Sequence, residues 1–461
     1  MELRDSALWE EIKAIALQGG GAPLIFGWRV EFKVKDKTYK PLKMISMEIL
    51  RNYANAMGDE IVLDVMMGQG DFLYDIYPNR QNLVANLFCE QRAYDESVVK
   101  LSSDIETQTL RATLMDDHSA AVEANTSAAA SREDLNRLDP ITVRFQLIDQ
   151  ALEYSRLQSV QVLFRNTTVG DCLTYILTAA SKDANLDENN KVLGVEMVDP
   201  ANTDEYKHIV FPGGTKLSQL RNFLQKKVGG LYPTGTGLYL QKRTWFVFPL
   251  FDLTRFDKSF ETLTVINIPP NQLPSIERSY RKTSNQTLIV ATGQTKHIDR
   301  SESKIANAGN GVRYADARKV MENQPAAGDN KAVLKRSETN NEFITEERPS
   351  GLNNVVTSTR RITSNKFEEL SQMSSRYGAL VETLWENSDP GSIWPGMPLK
   401  FLYLKGNEVK ELKGVVLGAH HFIQTYGQSV TDGRHICNTA LQLFVEREDV
   451  GPVTPPRERK R

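Results

Sequence analysis

Residues 27–53 read GWRVEFKVKDKTYKPLKMISMEILRNY. Trp28, Val30, Phe32 and Val34 are apolar and alternate with Arg29, Glu31, Lys33 and Lys35. A period of two sets one face of a strand on a core and the other in water. Asp36-Lys37 stands where a tight turn returns the chain. The pattern continues at residues 60–67 (EIVLDVMM), breaks at Gly68-Gln69-Gly70, and resumes at residues 71–77 (DFLYDIY), which Pro78-Asn79-Arg80 closes. These segments predict an antiparallel meander.

Further strands are expected at residues 105–115 (IETQTLRATLM) and 140–148 (PITVRFQLI), around a polar Ala/Ser/Glu/Asn excursion at 116–139. The period then changes. Thr167 or Thr168 can cap a helix over residues 169–180, with Cys172, Leu173, Ile176 and Leu177 on one side. A second helix over residues 216–228 carries Leu217, Leu220, Phe223 and Leu224 on one face and stops at Gly229-Gly230. Residues 239–250 (YLQKRTWFVFPL) read as one aromatic strand, and prolines at 269, 270 and 274 mark a boundary. Residues 286–292 return to strand pattern. From 299 to 361 large apolar residues are sparse, which predicts an extended arm, a partner-ordered loop or disorder. In the last block, residues 367–383 read as helix, 401–404 and 410–417 as a hairpin turning at Gly406-Asn407, and 439–445 as a closing strand. The Pro- and Arg-rich residues 451–461 read as a mobile tail.

The chain has 461 residues, 40% of them apolar, enough for two to four domains with real cores. Lys and Arg number 56 against 58 acidic residues, so the net charge of -2 gives no long-range pull toward nucleic-acid phosphates or an anionic membrane. Cys89, Cys172 and Cys437 are odd in number and far apart, the pattern of reduced thiols. Residues 1–21 lack a signal h-region, so synthesis in the cytoplasm without cleaved export is expected.

Few residues point to chemistry. His420, His421, His435 and Cys437 could in principle bind zinc, but adjacent histidines on a strand face opposite ways and the spacing fits no familiar finger. Gly229-Gly230 and Gly235-Thr236-Gly237 lack the trailing Lys-Ser/Thr of a phosphate loop. No GxSxG occurs, and pairs such as Asp116-Asp117 or Glu368-Glu369 arise by chance among 58 acidic residues. Residues 245–248 (WFVF) could stack a sugar or a base, yet alternation buries at least one of their faces. Residues 457–461 hold four basic residues without interleaved aromatics, a solubilising end. The expectation is therefore a non-enzyme with no catalytic, cofactor or metal residues.

Trp394-Pro395-Gly396-Met397-Pro398-Leu399-Lys400-Phe401, followed by a charged hairpin and Gly414-Val415-Val416-Leu417-Gly418-Ala419-His420-His421, resembles the late β-barrel of phage tail baseplate hub proteins. The strands around Lys35-Asp36-Lys37 and residues 59–77 resemble a tail-tube-like barrel in the same family, which shares its plan with type VI secretion spike proteins. The resemblance implies an α+β, mainly β fold: two tail-tube-like antiparallel β-barrels with an inserted small α/β region. It divides the chain into a first barrel region (22–165), an inserted region (166–270), a second barrel region (271–298 and 362–450), an arm (299–361) and the tail. It further implies a homotrimeric virion protein of the tail baseplate that joins the tail tube to the central spike and adapts sixfold to threefold symmetry. Baseplate wedge proteins and the tape measure protein are further implied partners, with no membrane and no sequence-specific nucleic acid. Open strand edges, hazardous when alone, are satisfied by ring assembly. A receptor- or glycan-binding tail protein and a tail-associated hydrolase are the alternatives.

Overall fold

A computed structural model describes residues 7–17, 24–93, 106–115, 140–184, 186–188, 190–269, 279–292, 312–315, 332–335, 345–347, 374, 378–405, 408–426 and 434–446. Helix α1 (Ala7–Leu17) precedes strands β1 (Leu24–Val34), β2 (Lys37–Tyr39), β3 (Lys43–Asn52) and β4 (Glu60–Gly68). Strands β5 (Val84–Ala93), β6 (Glu106–Leu114) and β7 (Pro140–Asp149) follow. Next come α2 (Gln150–Leu157), β8 (Ser159–Thr167), α3 (Val169–Asp183), β9 (Gly194–Met197), β10 (Tyr206–Lys216) and α4 (Leu220–Lys227). The chain continues through β11 (Thr236–Gln241), β12 (Thr244–Pro249), β13 (Thr262–Ile268), β14 (Tyr280–Lys282) and β15 (Gln286–Thr292). Three short strands, β16 (Val312–Ala315), β17 (Ala332–Lys335) and β18 (Thr345–Glu347), pair only with one another among the described residues. The last four are β19 (Gly378–Trp385), β20 (Pro398–Lys405), β21 (Glu408–Thr425) and β22 (Arg434–Glu446). The molecule is mainly β with few helices.

Strand pairing closes on itself twice. One circuit runs β21, β3, β4, β7, β6, β5, β1, β22 and returns to β21. The other runs β13, β20, β21, β22, β19, β15 and returns to β13. The pair β21–β22 belongs to both. On its outer edge, β21 holds β20 through residues 408–415 and β3 through residues 418–424. The change of partner falls at a bulge between Val416 and Gly418, where the Leu417 carbonyl accepts the Tyr53 amide at 2.9 Å. β22 likewise meets β19 along 439–446 and β1 only at Arg434 and His435. All neighbours in the eight-strand circuit are antiparallel, whereas β13 runs parallel to both β15 and β20. The six-strand circuit is therefore mixed, a departure from the expected all-antiparallel pairing.

Inward residues of the eight-strand circuit follow the alternation read from the sequence. Ile61, Leu63, Val65 and Met67 of β4 and Val143, Phe145 and Leu147 of β7 are buried in one continuous core that also takes in Val416, Ala419 and Leu441. In β21, residues 414–419 are buried without a break. Val416 and Ala419 face that core, while Val415 and Leu417 pack with Phe444 on the opposite side. α1 closes the outside of the six-strand circuit, where Ile12 and Ile15 pack on Ile266, Ile268, Leu288 and Val290. Nothing in the sequence reading anticipated this helix.

The inserted elements have a core of their own, built by α2, α3, α4, β8, β10, β11 and β12 around Leu152, Leu173, Phe211, Leu220 and Trp245. Asp149 caps α2 through the amides of Ala151 and Leu152, and Thr168 caps α3 through the amide of Asp171. This core sits on the β3–β4 connection: the Met57 carbonyl accepts the Leu240 amide at 2.7 Å and the Ala54 carbonyl accepts from Arg221 at 2.7 Å. β8 pairs with β10, and β13 joins the six-strand circuit although its residues fall within 166–270.

Three local expectations are corrected. Residues 71–77 lie in a helical excursion over 69–82, because Phe72 and Ile76 repeat at four residues and bury together. Residues 239–250 form a hairpin, β11–β12, rather than one strand; Lys242 and Arg243 both take positive φ, 47° and 63°, which fits a two-residue turn but carries no Asn or Gly signal. Residues 378–383, expected to be helical, belong to β19, whose outward residues alternate with buried Val381, Thr383 and Trp385. The excursion at 116–139, the tail at 451–461 and most of the arm at 299–361 lie outside the described residues.

Candidate functional site

Along β3, inward parity belongs to Met47, Ile49 and Arg51, and Leu50 points outward. Leu50 is 40% exposed while Arg51 is 6% exposed, a reversal of the usual polarity. Register places Arg51 opposite Ala419 of β21, at the point where the two circuits diverge. Its guanidinium donates to Asp59 (Nε to Oδ2, 3.1 Å), to the Pro390 carbonyl (2.6 Å) and to His421 Nε2 (3.0 Å). Asp59 also accepts from the Tyr239 hydroxyl at 3.0 Å. Tyr53 stacks edge-on against Tyr239, with ring centroids 4.8 Å apart, and donates to Gln241 at 3.2 Å. Gln241 then donates to the Ile393 carbonyl at 2.9 Å.

A guanidinium has only donors, so His421 Nε2 must accept and its proton sits on Nδ1. Nδ1 donates to Thr439 Oγ1 at 2.7 Å, and Thr439 meets Ser388 Oγ at 2.6 Å. Ser388 lies against Cys437, bonded to its carbonyl at 3.2 Å and within 3.3 Å of its thiol. One buried chain of hydrogen bonds thus ties β3 and the β3–β4 connection, the inserted hairpin β11–β12, the shared pair β21–β22 and residues 388–393.

The charges in this junction are fixed by their surroundings. Burial opposes the Arg51 cation, but Asp59 beside it holds the guanidinium charged beyond its ordinary range. Burial, and secondarily Arg51, push His421 well below the usual imidazole value. Burial raises Tyr53 and Tyr239 above the usual phenol value and pushes the Cys437 thiol up to about 12. A protonated thiol is a poor nucleophile, and an imidazole bonded at both nitrogens is not placed to act as a base on a ligand. The arrangement connects elements instead.

Of the histidines and the cysteine singled out in the sequence, His421 and Cys437 share the buried chain through Thr439 and Ser388, and the other two lie apart from it. His420 lies on the other face of β21 from His421, bonded to Glu48 at 3.0 Å. His435 is buried at the far end of β22, where Nδ1 accepts the Trp28 amide at 3.3 Å. No group of three metal-ligating side chains occurs among the described residues. Gly229 and Gly230 end α4 at φ of 84° and 73°, with the Gly230 amide bonded to the Leu224 carbonyl. Trp245 and Val247 enter the inserted core; Phe248 is buried from the other face of the hairpin and Phe246 packs against Trp394. Asp116, Asp117, Glu368, Glu369 and residues 457–461 lie outside the described residues. Sequence reading missed Arg51, Asp59, Tyr239 and Gln241; only the charge at an inward position of β3 signalled them.

Two surface features accompany the junction. On the outward face of the β8–β10 ribbon, Leu163 and Val210 oppose one another and are 48% and 57% exposed. Between β9, β12 and residues 394–398 runs a cleft of about 470 Å³ containing Phe246, Trp394 and Met397. No described helix is long and apolar enough to cross a membrane.

No protein-family model and no curated protein matches the sequence. Among solved structures, the chain is similar to a tail protein from Neisseria meningitidis, with 10% identity and a TM-score of 0.43 over 91% of this chain and 96% of that one. It is similar to the 43 kDa tail protein of a Shewanella oneidensis prophage at 14% identity and a TM-score of 0.42, covering 90% of this chain and 98% of that one. A third similar structure is an E. coli component of the type VI secretion system, itself described as similar to T4 bacteriophage tail proteins. There the identity is 8% and the TM-score 0.40, over 91% of this chain and 78% of that one. The structural neighbours are thus phage tail proteins and type VI secretion proteins.

Proposed function

We propose that the chain is a non-enzymatic virion protein, a baseplate hub that joins the tail tube to the central spike. The observation that carries this reading is the shared pair β21–β22, which couples two closed strand circuits within one subunit. Each circuit is read as a tail-tube-like barrel, so that a homotrimer presents a pseudo-sixfold ring to a hexameric tube on one side and threefold symmetry to a spike on the other. Such a joint must transmit load without the barrels turning against each other. A bulged ribbon common to both, pinned by the buried Arg51–His421–Thr439 chain, provides that stiffness. The inserted region, packed on the β3–β4 connection, is placed outside the ring, where wedge proteins would meet it. The tape measure protein is a further partner in this reading, and assembly follows synthesis in the host cytoplasm.

The test is the solution mass of the purified protein, alone and mixed with tube and spike proteins. The hub reading expects a trimer that co-migrates with both. A monomer that joins neither contradicts it.

A further inference from the structure

The cleft beside the shared ribbon has the chemistry of a proline-recognition groove. Its walls include Phe246 and Trp394, with ring centroids 5.9 Å apart and planes inclined by 45°. At its mouth stands Phe260, 77% exposed, a large aromatic that packs on little of its own chain. Glu196 and Glu261 line the same cleft and are exposed, and among the described residues neither has an ion-pair partner. Arg255 is already committed, donating to the Gly396 carbonyl at 2.9 Å and so holding the turn that carries Trp394. Aromatic walls with exposed acidic groups among them suit an extended proline segment followed by arginine, because a polyproline helix is stiff before binding and repeats every three residues.

The chain carries such a segment. Residues 451–461 read GPVTPPRERKR, with Pro452 and Pro455 three apart, Arg457 two further on, and four basic residues against the single Glu458 from Arg457 to the last residue given. Described structure ends with β22 at Glu446, whose carboxylate accepts the Lys413 amide at 3.2 Å. The Lys413 ammonium in turn pairs with Asp257 at 2.5 Å, two residues from the cleft residues Arg255 and Ser259. The end of β22 is therefore linked through Lys413 to the chain segment that lines the cleft, and even the six residues from 447 to Pro452 can reach roughly 20 Å when extended.

We infer that the cleft binds residues 451–461 of the same chain, with prolines against Phe246, Trp394 and Phe260 and the basic residues toward Glu196 and Glu261. The occupant would cover an aromatic surface that lies beside the proposed ring until a partner displaces it.

The test places a photo-crosslinking benzoylphenylalanine at position 260 of the full chain, an exposed site that the fold tolerates, and maps the products by mass spectrometry. The expected result is a crosslink within one chain to residues 451–461. Pro455→Ala with Pro456→Ala should lower its yield about fivefold, the loss expected for weakened aromatic contact. Glu196→Gln with Glu261→Gln should remove the salt dependence of the yield. Crosslinks that map elsewhere in the chain, that join two copies, or that do not form would each overturn the proposal, as would a yield indifferent to the proline substitutions.

Discussion

The eight-strand and six-strand circuits share two strands, yet they are stabilised differently. In the first, β4 and β7 bury one face and leave the other polar, as in the pair of Asp64 with Arg144 at 2.7 Å on the outside. In the second, β13 and β15 are buried almost throughout, one face on the common core and the other under α1. A sheet covered on both faces tolerates parallel neighbours and loses its alternation. The cover of the six-strand circuit thus comes from α1 on one side and the core shared with the other circuit on the opposite side.

The largest expected effect comes from uncoupling the circuits at their junction. Arg51→Met leaves Asp59 with the Tyr239 hydroxyl but without its cation and removes the donor to His421, and should cost about 3 kcal/mol, the lower end for breaking a buried pair. Chemical denaturation should show one cooperative transition at a lower midpoint; two separate transitions would show that the circuits are independent. Gly414→Ala places a Cβ 2.3 Å from the Phe444 carbonyl oxygen in the shared ribbon, and about 3 kcal/mol of destabilisation is expected from the forced separation. Stability unchanged in that variant would mean the ribbon is not tightly joined.

Ile12→Ala sharpens the contrast between the circuits. It should cost about 2 kcal/mol, with faster amide exchange confined to β13 and β15 and the eight-strand circuit unaffected. Equal acceleration in β4 and β7 would argue against separate outer cover. The smallest effect is on pH. His421 is held neutral in the folded chain, whereas the unfolded chain takes up a proton near pH 6.5, so stability is lost as pH falls below that value. The contribution is about 1 kcal/mol per pH unit until the folded value is reached. His421→Gln, which keeps an acceptor for Arg51, should flatten this dependence between pH 7.5 and 5.5. An identical slope in both proteins would place the titrating group elsewhere.

Legibility in the sequence follows the same division. Alternation exposed β1, β4 and β7, and a capping threonine with a four-residue repeat exposed α3, because each needs only its own residues. β19 was read as helix and β11–β12 as one strand, since GALVETLW takes its period from neighbours on both sides and Lys242-Arg243 lacks turn residues. The run GVVLGAHH was visible as strand, but its double burial depends on partners that come from residues 43–52 and 434–446. The junction was almost silent. His421 was noticed for zinc chemistry, whereas its partners Arg51 and Thr439 are 370 and 18 residues away and become neighbours only in the folded sheet.

Electron cryomicroscopy of assembled tails would test the proposed hub role. Trimeric density for this chain is expected on the tail axis between tube and spike, with both strand circuits of each subunit contributing to one ring. Density at the periphery of the baseplate, or a ring built from only one circuit per subunit, would contradict it.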